Sequence, residues 1–483
     1  MNSLENNSET GGVNVLPPPA LNEESRTRNR KRVMTLAAMC LATFAAILDT
    51  TVVNLALHAI QTDLRAGLAA LQWVIDAYNL VYASFILTGG ALGDLFGRRR
   101  VFAAGMGLFT LGSVLCAVSP NAPMLIVARA IAGLGSALQL PSALAILAVA
   151  FPGVRERAHA IALWGGFNGL ALAIGPTAGG FLVDWFGWRS IFYLILPFGI
   201  AVLALTYLGV SESSNPEDRE LDFPGQLLAV AGLGLLALTF IEGPSQGWSS
   251  LWIRSSAFGC VSCLVAFWKV ERSRPGGLLT FDVFGNRMFR PAFADAVLMT
   301  FGVYALLFLF PLYLQGIRGD SAILTGAMLL PLSLTYFAVS PFSGRLFLAL
   351  GPRAAIATGM SMIAAGMFVL SQVTSASSYL RMLPALLTVG VGLGWITGPI
   401  LTVAVSSLPR ERSGMSSALV NVGRMVGATL GVAILGSFFG PHAGHPAANP
   451  GPFLHGMRRA LFAAGAAEVA GALIALADLR ASL

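Results

Sequence analysis

Gly89-Gly-Ala-Leu-Gly-Asp-Leu-Phe-Gly-Arg-Arg-Arg-Val101 sits between two long apolar runs. It carries one acid and three consecutive arginines among spaced glycines. Charge of that density does not enter lipid cheaply. The loop therefore marks a membrane surface, and the runs on either side of it read as membrane-crossing helices.

The rest of the chain agrees. It has 483 residues, of which 55% are hydrophobic and only 11% charged, with a mean hydropathy of +0.73. Soluble domains carry roughly 25% charge, so a water-soluble fold is excluded and the class is an all-α polytopic membrane protein. A spanning helix needs about 20 apolar residues. Fourteen runs qualify: 33–57, 72–92, 101–119, 123–150, 158–183, 190–210, 222–242, 252–269, 290–315, 322–348, 353–373, 380–402, 414–439 and 455–478. Leu221-Asp-Phe-Pro-Gly225 supplies a clean start for the seventh.

The net charge is +7, and its distribution explains it better than nucleic-acid binding would. With the amino terminus in the cytoplasm, 21 of the 30 Lys and Arg residues fall in cytoplasmic segments and seven in external ones, while Arg129 and Arg424 lie inside spans. That threefold excess fits the positive-inside rule. It predicts a multi-pass protein of the cytoplasmic membrane with both termini inside. Residues 1–32, polar and ending in a basic cluster, read as a disordered cytoplasmic tail.

The opening loop has an echo. Gly90 to Gly97 returns as Gly344-Arg-Leu-Phe-Leu-Ala-Leu-Gly351, again between two spans and again ahead of an arginine. Weak internal repeats of this kind are a property of transporter folds. The organisation is then an N-terminal six-helix half (33–210), two inserted helices with their loops (211–275), and a C-terminal six-helix half (276–483). Leu348 stands where the first copy has Asp94.

Ionisable residues inside spans are candidate functional sites by default. Asp49 lies late in span 1 and Asp76 early in span 2, both toward the outer side, where one wet pocket could serve both. Carboxyl groups so placed are proton carriers; the plainer readings are a paired structural Asp49 and a hydrated Asp76 between the anchors Trp73 and Tyr78. Arg129, within span 4, needs a buried partner, and an intramembrane carboxylate is the obvious one. Asp295 reads as interfacial and Glu468 as a structural acid in a peripheral span. In span 5, Gly175, Pro176, Gly179 and Gly180 allow close approach and a bend. Tyr78, Gln139, Trp164, Asn168, Tyr304, Gln315, Tyr336, Trp395, Asn421 and Arg424 are candidates for a mixed aromatic and polar substrate cavity.

No metal site is expected. Cys260 and Cys263 lie in an apolar run without further ligands, and His442 with His445 would supply only two. There is no nucleotide-binding loop, HExxH helix or GxSxG elbow. An enzyme is not expected, nor a cofactor; the energy for transport would come from an ion gradient. The expected partners are a small-molecule substrate and the lipid bilayer, with the chain acting as a monomer.

These motifs together resemble those of the fourteen-span drug:proton antiporters of the major facilitator superfamily, the multidrug efflux group. The opening loop resembles the superfamily's signature loop, and Leu48-Asp-Thr-Thr-Val-Val-Asn54 the group's span 1 motif. Arg129 with Gly133 is similar to the span 4 motif linked to proton coupling. Gly175-Pro176 with Gly179-Gly180 is similar to the span 5 motif of antiporters. Trp188-Arg189, Phe192, Pro197 and Arg424 within Gly423–Gly431 also fit.

The resemblance implies a proton-coupled exporter of hydrophobic small molecules, with Asp49, Asp76 and Arg129 in proton coupling. It also implies a conformational latch of Gly90, Asp94, Gly97, Arg98, Arg99 and Arg100, set against the start of span 13 near Ser413. Spans 10 and 13 lack the acids that some dication exporters carry there, which argues against strongly dicationic substrates. Proton symport for uptake is the main alternative, disfavoured by Gly175-Pro176. A non-transporting membrane enzyme or sensor is remoter still.

Overall fold

The computed structural model describes residues 19–215, 222–273, 282–408, 413–439 and 450–479. Their regular structure is helical throughout. The N-terminal half holds α1 (Pro19–Leu64), α2 (Leu68–Phe96), α3 (Arg98–Ala117), α4 (Ala122–Ala150) and α5 (Val154–Phe186), then α6 (Ser190–Tyr193) and α7 (Ile195–Gly209), which share one crossing. The inserted pair is α8 (Phe223–Gln246) and α9 (Leu251–Ser273). The C-terminal half holds α10 (Asp282–Gly285), α11 (Phe289–Gly316), α12 (Ala322–Val339), α13 (Ser343–Leu370), α14 (Tyr379–Ser406), α15 (Ser413–Leu430) and α16 (Pro450–Asp478). A π-helical turn, Gly431–Leu435, extends α15.

Among the described residues, thirteen continuous helical segments are long and apolar enough to cross a membrane. One of them, Ala322–Leu370, has 49 residues. A straight helix of that length would be about 74 Å long against a hydrocarbon core of about 30 Å. The break comes at Gly351, with φ 75° and ψ 165°, followed by Pro352. Two crossings therefore share this segment, and the fourteen expected spans are all present.

Gly351 also gives the internal repeat a physical basis. Gly97, its counterpart, has φ 103° and separates α2 from α3. Both positions need the left-handed backbone that glycine alone adopts freely. The helix ahead of span 1 differs from the reading of a disordered tail: α1 begins at Pro19, well inside residues 1–32.

Small residues set the packing of the N-terminal half. A Cβ added at Gly105 would lie 2.8 Å from the Gly135 carbonyl oxygen, and one at Gly133 would lie 3.0 Å from the Tyr78 Cα. Such backbone-to-backbone contact is how helices associate in lipid, where apolar burial gives little drive.

The inserted pair packs on α2. Gln226 Nε2 donates to the Ser84 carbonyl (2.9 Å), Thr88 donates to Gln226 Oε1, and Trp73 Nε1 donates to Glu242 Oε1 (3.1 Å). Leu80, Ala237, Ile241 and Ala433 form a small apolar cluster beside them. On α9, Leu251, Trp252, Phe258 and Val261 point outward, as lipid-facing residues do. Cys260 and Cys263 on this helix are free thiols, and His442 and His445 lie outside the described residues.

Candidate functional site

A buried ion pair forms the centre of the N-terminal half. Arg129 Nη1 donates to Asp49 Oδ2 at 2.6 Å, and both side chains are 2% exposed or less. Arg129 Nε donates to the Val74 carbonyl at 3.2 Å. The guanidinium lies 4.5 Å from the Tyr78 ring centre, and the Tyr78 hydroxyl donates to Ser136 Oγ at 2.7 Å. Arg129 on α4 thus ties α1 to α2. Asp49 Oδ1 has no hydrogen-bond partner. The pair expected from sequence is therefore present, and Tyr78 belongs to it rather than to a substrate cavity.

Asp76 stands apart from the pair. Val74 and Tyr78 lie on the α2 face that meets Arg129, and Asp76 is two residues from each, about 200° around the helix. Its face is shared with Gln72, whose Nε2 crosses to the Val432 carbonyl beyond α15 at 2.8 Å. Asp76 is fully buried, and neither carboxylate oxygen has a partner. So it is shut off from bulk solvent in this conformation and does not touch the Asp49 pair; it lies at the seam between the halves.

The span 5 glycines divide into two tasks. Gly175 receives Thr51, and a Cβ at Gly179 would lie 3.0 Å from Val52 Cα, so these two seat the α1 motif within the same half. Gly180 faces the Ala322 carbonyl and Gly326 faces the Pro176 carbonyl, both across the seam to α12. Sequence spacing alone could not separate these roles.

Polar contacts tie the same seam at one end of the bundle. Besides Gln72, Gln315 Nε2 donates to the Leu55 carbonyl at 3.0 Å. Asp184, from α5, accepts the Ala322 N–H (3.0 Å) and the Ile323 N–H (2.8 Å), while Ser321 Oγ accepts the Leu324 N–H (3.2 Å). The unpaired donors at the start of α12 are thus capped largely by a carboxylate of the other half. Asp184→Ala should release this clasp. A loss of about 1 kcal/mol, typical of a cap, shifts a two-state balance about fivefold. The reading is the labelling rate of a Leu329→Cys side chain by an impermeant maleimide, which should rise by that factor.

Leu329 lines a narrow space between the halves, with a water-accessible volume of about 40 Å³. Its walls are Thr51, Asn54 and Leu55 of α1, Leu172 and Pro176 of α5, Val303 and Leu307 of α11, Leu329, Leu332, Ser333 and Tyr336 of α12, and Leu393 of α14. That is well below the roughly 300 Å³ of a small-molecule site, so in this conformation the halves are closed down on the space. No charged side chain lines it, which suits uncharged, hydrophobic solutes.

Of the cavity candidates read from sequence, Tyr336 alone lines this space. Gln315 is spent on the seam, Gln139 is fully buried without partners, and Asn421 donates to the Ser417 carbonyl. Asn168 makes a long bond to the Trp164 carbonyl (3.4 Å), and the indole nitrogens of Trp164 and Trp395 have no partner. Arg424 lies near Tyr82 and Tyr304, and Tyr304 in turn lies near Tyr336 of the cavity wall. The leucines that form the wall were missed because a leucine in a lipid-facing run and one in a cavity look alike.

Among the described residues, the expected latch makes contacts within the N-terminal half and with Glu212 just after it. Asp94 Oδ1 accepts from Arg98 Nε and Nη2 at 3.0 and 2.8 Å. Glu212 accepts the Arg99 N–H at 3.0 Å and approaches Arg100 Nε at 3.7 Å. The carboxylate of Glu212 also fills the space beside Gly97, and Gly90 lies near Pro141. The side chain of Ser413, the partner expected from span 13, lies outside the described residues.

Residues 39–432 match the family model of the Major Facilitator Superfamily. The chain is 39% identical to the multidrug resistance protein Stp of Mycobacterium tuberculosis (strain CDC 1551 / Oshkosh), over 85% of this chain and 76% of that one. It is 35% identical to the puromycin resistance protein pur8 of Streptomyces alboniger, over 89% and 88%. Among solved structures, a peptide transporter POT in complex with sulfate superposes with a TM-score of 0.68 at 16% identity, covering 92% of this chain and 94% of that one. This last likeness concerns the fold.

Proposed function

The chain belongs to the major facilitator superfamily, and from that premise we propose that it exports hydrophobic small molecules across the cytoplasmic membrane, in exchange for protons. The relatives named for multidrug and puromycin resistance support the export of drug-like compounds. One observation carries the proton-coupled reading: Arg129 and Asp49 form an ion pair inside the membrane, with one carboxylate oxygen left free. Buried acids of this kind mark proton pathways.

The mechanism follows from the two positions. In this conformation the seam is closed at the end holding Asp184 and Gln72, which the charge distribution assigns to the outside. Asp76 is covered by that closure. Rocking of the halves opens the outer end and brings water to Asp76, which takes up a proton while the solute leaves the central cavity. Protonation at Asp49 would weaken its hold on Arg129 and free the α1–α4 contact to change. Return to the present state carries the proton to the inner side. No resident cofactor has a part in these steps, and the chain works as a single copy.

The test uses the full chain in liposomes with puromycin as the probe. Puromycin added on the cytoplasmic face should drive proton release there, and Asp49→Asn should abolish that release. Equal puromycin flux with and without a pH gradient, unchanged in Asp49→Asn, would sink the coupling.

A further inference from the structure

The C-terminal half contains a second pair of buried acids that the mechanism above does not use. Asp295 on α11 and Glu468 on α16 are both 0% exposed. All four carboxylate oxygens lack a hydrogen-bond partner. The two helices present these acids to each other's glycines. A Cβ at Gly302 of α11 would lie 2.7 Å from Glu468 Oε1, and one at Gly471 of α16 would lie 3.3 Å from Asp295 Oδ1. The bare backbone of each helix thus makes room for the other's carboxyl group.

Among the described residues, no positive charge acts on either acid. The charged group acting on Glu468 is Asp295, and the one acting on Asp295 is Asp478. From α13 the Met360 methyl group lies beside Gly471. Arg424 of α15 faces Tyr304 and Tyr82 instead. Tyr304 is nine residues from Asp295, half a revolution around α11. Two neighbouring buried carboxyl groups, with no cation acting on either among the described residues, cannot both be ionised, so at least one carries a proton.

A route for that proton is laid along α16. Glu468, Gly471, Ala475 and Asp478 are spaced by three, four and three residues, which is one face of a helix. Asp478 is exposed, at the end of α16 that the proposed orientation places in the cytoplasm. Asp478 at the water-exposed end is near enough to act on Asp295, and Asp295 on Glu468, so the three acids form a series leading inward from the surface.

We propose that Asp295 and Glu468 form a second proton-binding site, which holds one exchangeable proton between two carboxyl groups and fills from the cytoplasmic side through Asp478. The step is a proton transfer only: a hydronium O–H bond breaks, a carboxyl O–H bond forms, and water is left. The site depends on the antiport reading for its orientation alone.

The experiment uses the purified full chain and the proton itself as the ligand. Protons bound per chain are counted with an indicator dye across the neutral range. The Asp295→Asn/Glu468→Gln variant should bind one proton fewer than the wild type. Asp478→Asn should bind the same number, but deuterium exchange at the pair, followed by its infrared carboxyl band, should slow at least several-fold. An unchanged proton count in the double variant overturns the site. Should the double variant not fold, Glu468→Gln alone decides: loss of the titrating carboxyl band supports the site, and its persistence overturns it. Neither readout involves Asp49 or puromycin, so failure here and failure of the antiport reading are separate results.

Discussion

Arg129→Ala should abolish transport and weaken the fold by about 3–5 kcal/mol, the usual cost of orphaning one member of a buried ion pair. The reason is local. Without the guanidinium, Asp49 keeps its place between α1 and α4 with no donor, and the Val74 carbonyl loses its partner. A double replacement separates the two effects. Arg129→Met with Asp49→Leu removes both charges and fills similar volume, and such exchanges are often neutral for stability. Thermal unfolding of the purified double variant should return close to the wild-type midpoint, while transport stays absent. Export at the wild-type rate in Arg129→Ala would remove the pair from the mechanism.

Gly180→Val should be the most damaging change that alters no charge. The added carbon would meet the Ala322 carbonyl carbon at 2.7 Å and Ile323 Cα at 2.8 Å. These are backbone atoms at the capped start of α12, and they cannot rotate aside. Overpacking of this kind costs about 1–3 kcal/mol, and here it falls only on the closed seam. The expected result is a protein trapped open at the outer end: folded, labelled readily at Leu329→Cys, and slowed in export by about 10- to 100-fold. Gly165 and Gly166, on the same helix, have open space at the Cβ position, and alanine at either should leave export within a factor of two. Wild-type flux in Gly180→Val would show that the α5–α12 contact does not have to close during the cycle.

The crossings could be read from sequence because each is a long apolar run and the charges fall in the loops. The repeat could be read because Gly97 and Gly351 must take a backbone that few residues accept. Arg129 announced its need for an acid, since an unpaired guanidinium in lipid is too costly. What stayed hidden depends on tertiary register. Asp184 looks like any acid at a helix end, and the helix it caps starts 138 residues later. Asp76 could be placed at a depth but not on a face, and the face decides that it belongs to the seam. Asp295 and Glu468 looked unrelated, because nothing short of the α11–α16 contact puts Gly302 opposite one and Gly471 opposite the other.

The inserted pair has one more consequence. Gln226 and Glu242 of the pair share hydrogen bonds with Ser84, Thr88 and Trp73 of α2, whereas its contact with the far half at Ala433 is bare hydrocarbon. Hydrogen bonds hold a register, and apolar surfaces in lipid let one slip. The pair is therefore a passenger of the N-terminal half and a sliding bearing for the other. Wherever it travels it shutters the gap between α2 and the end of α15, so a greasy cargo dissolved in the bilayer has to board by another door.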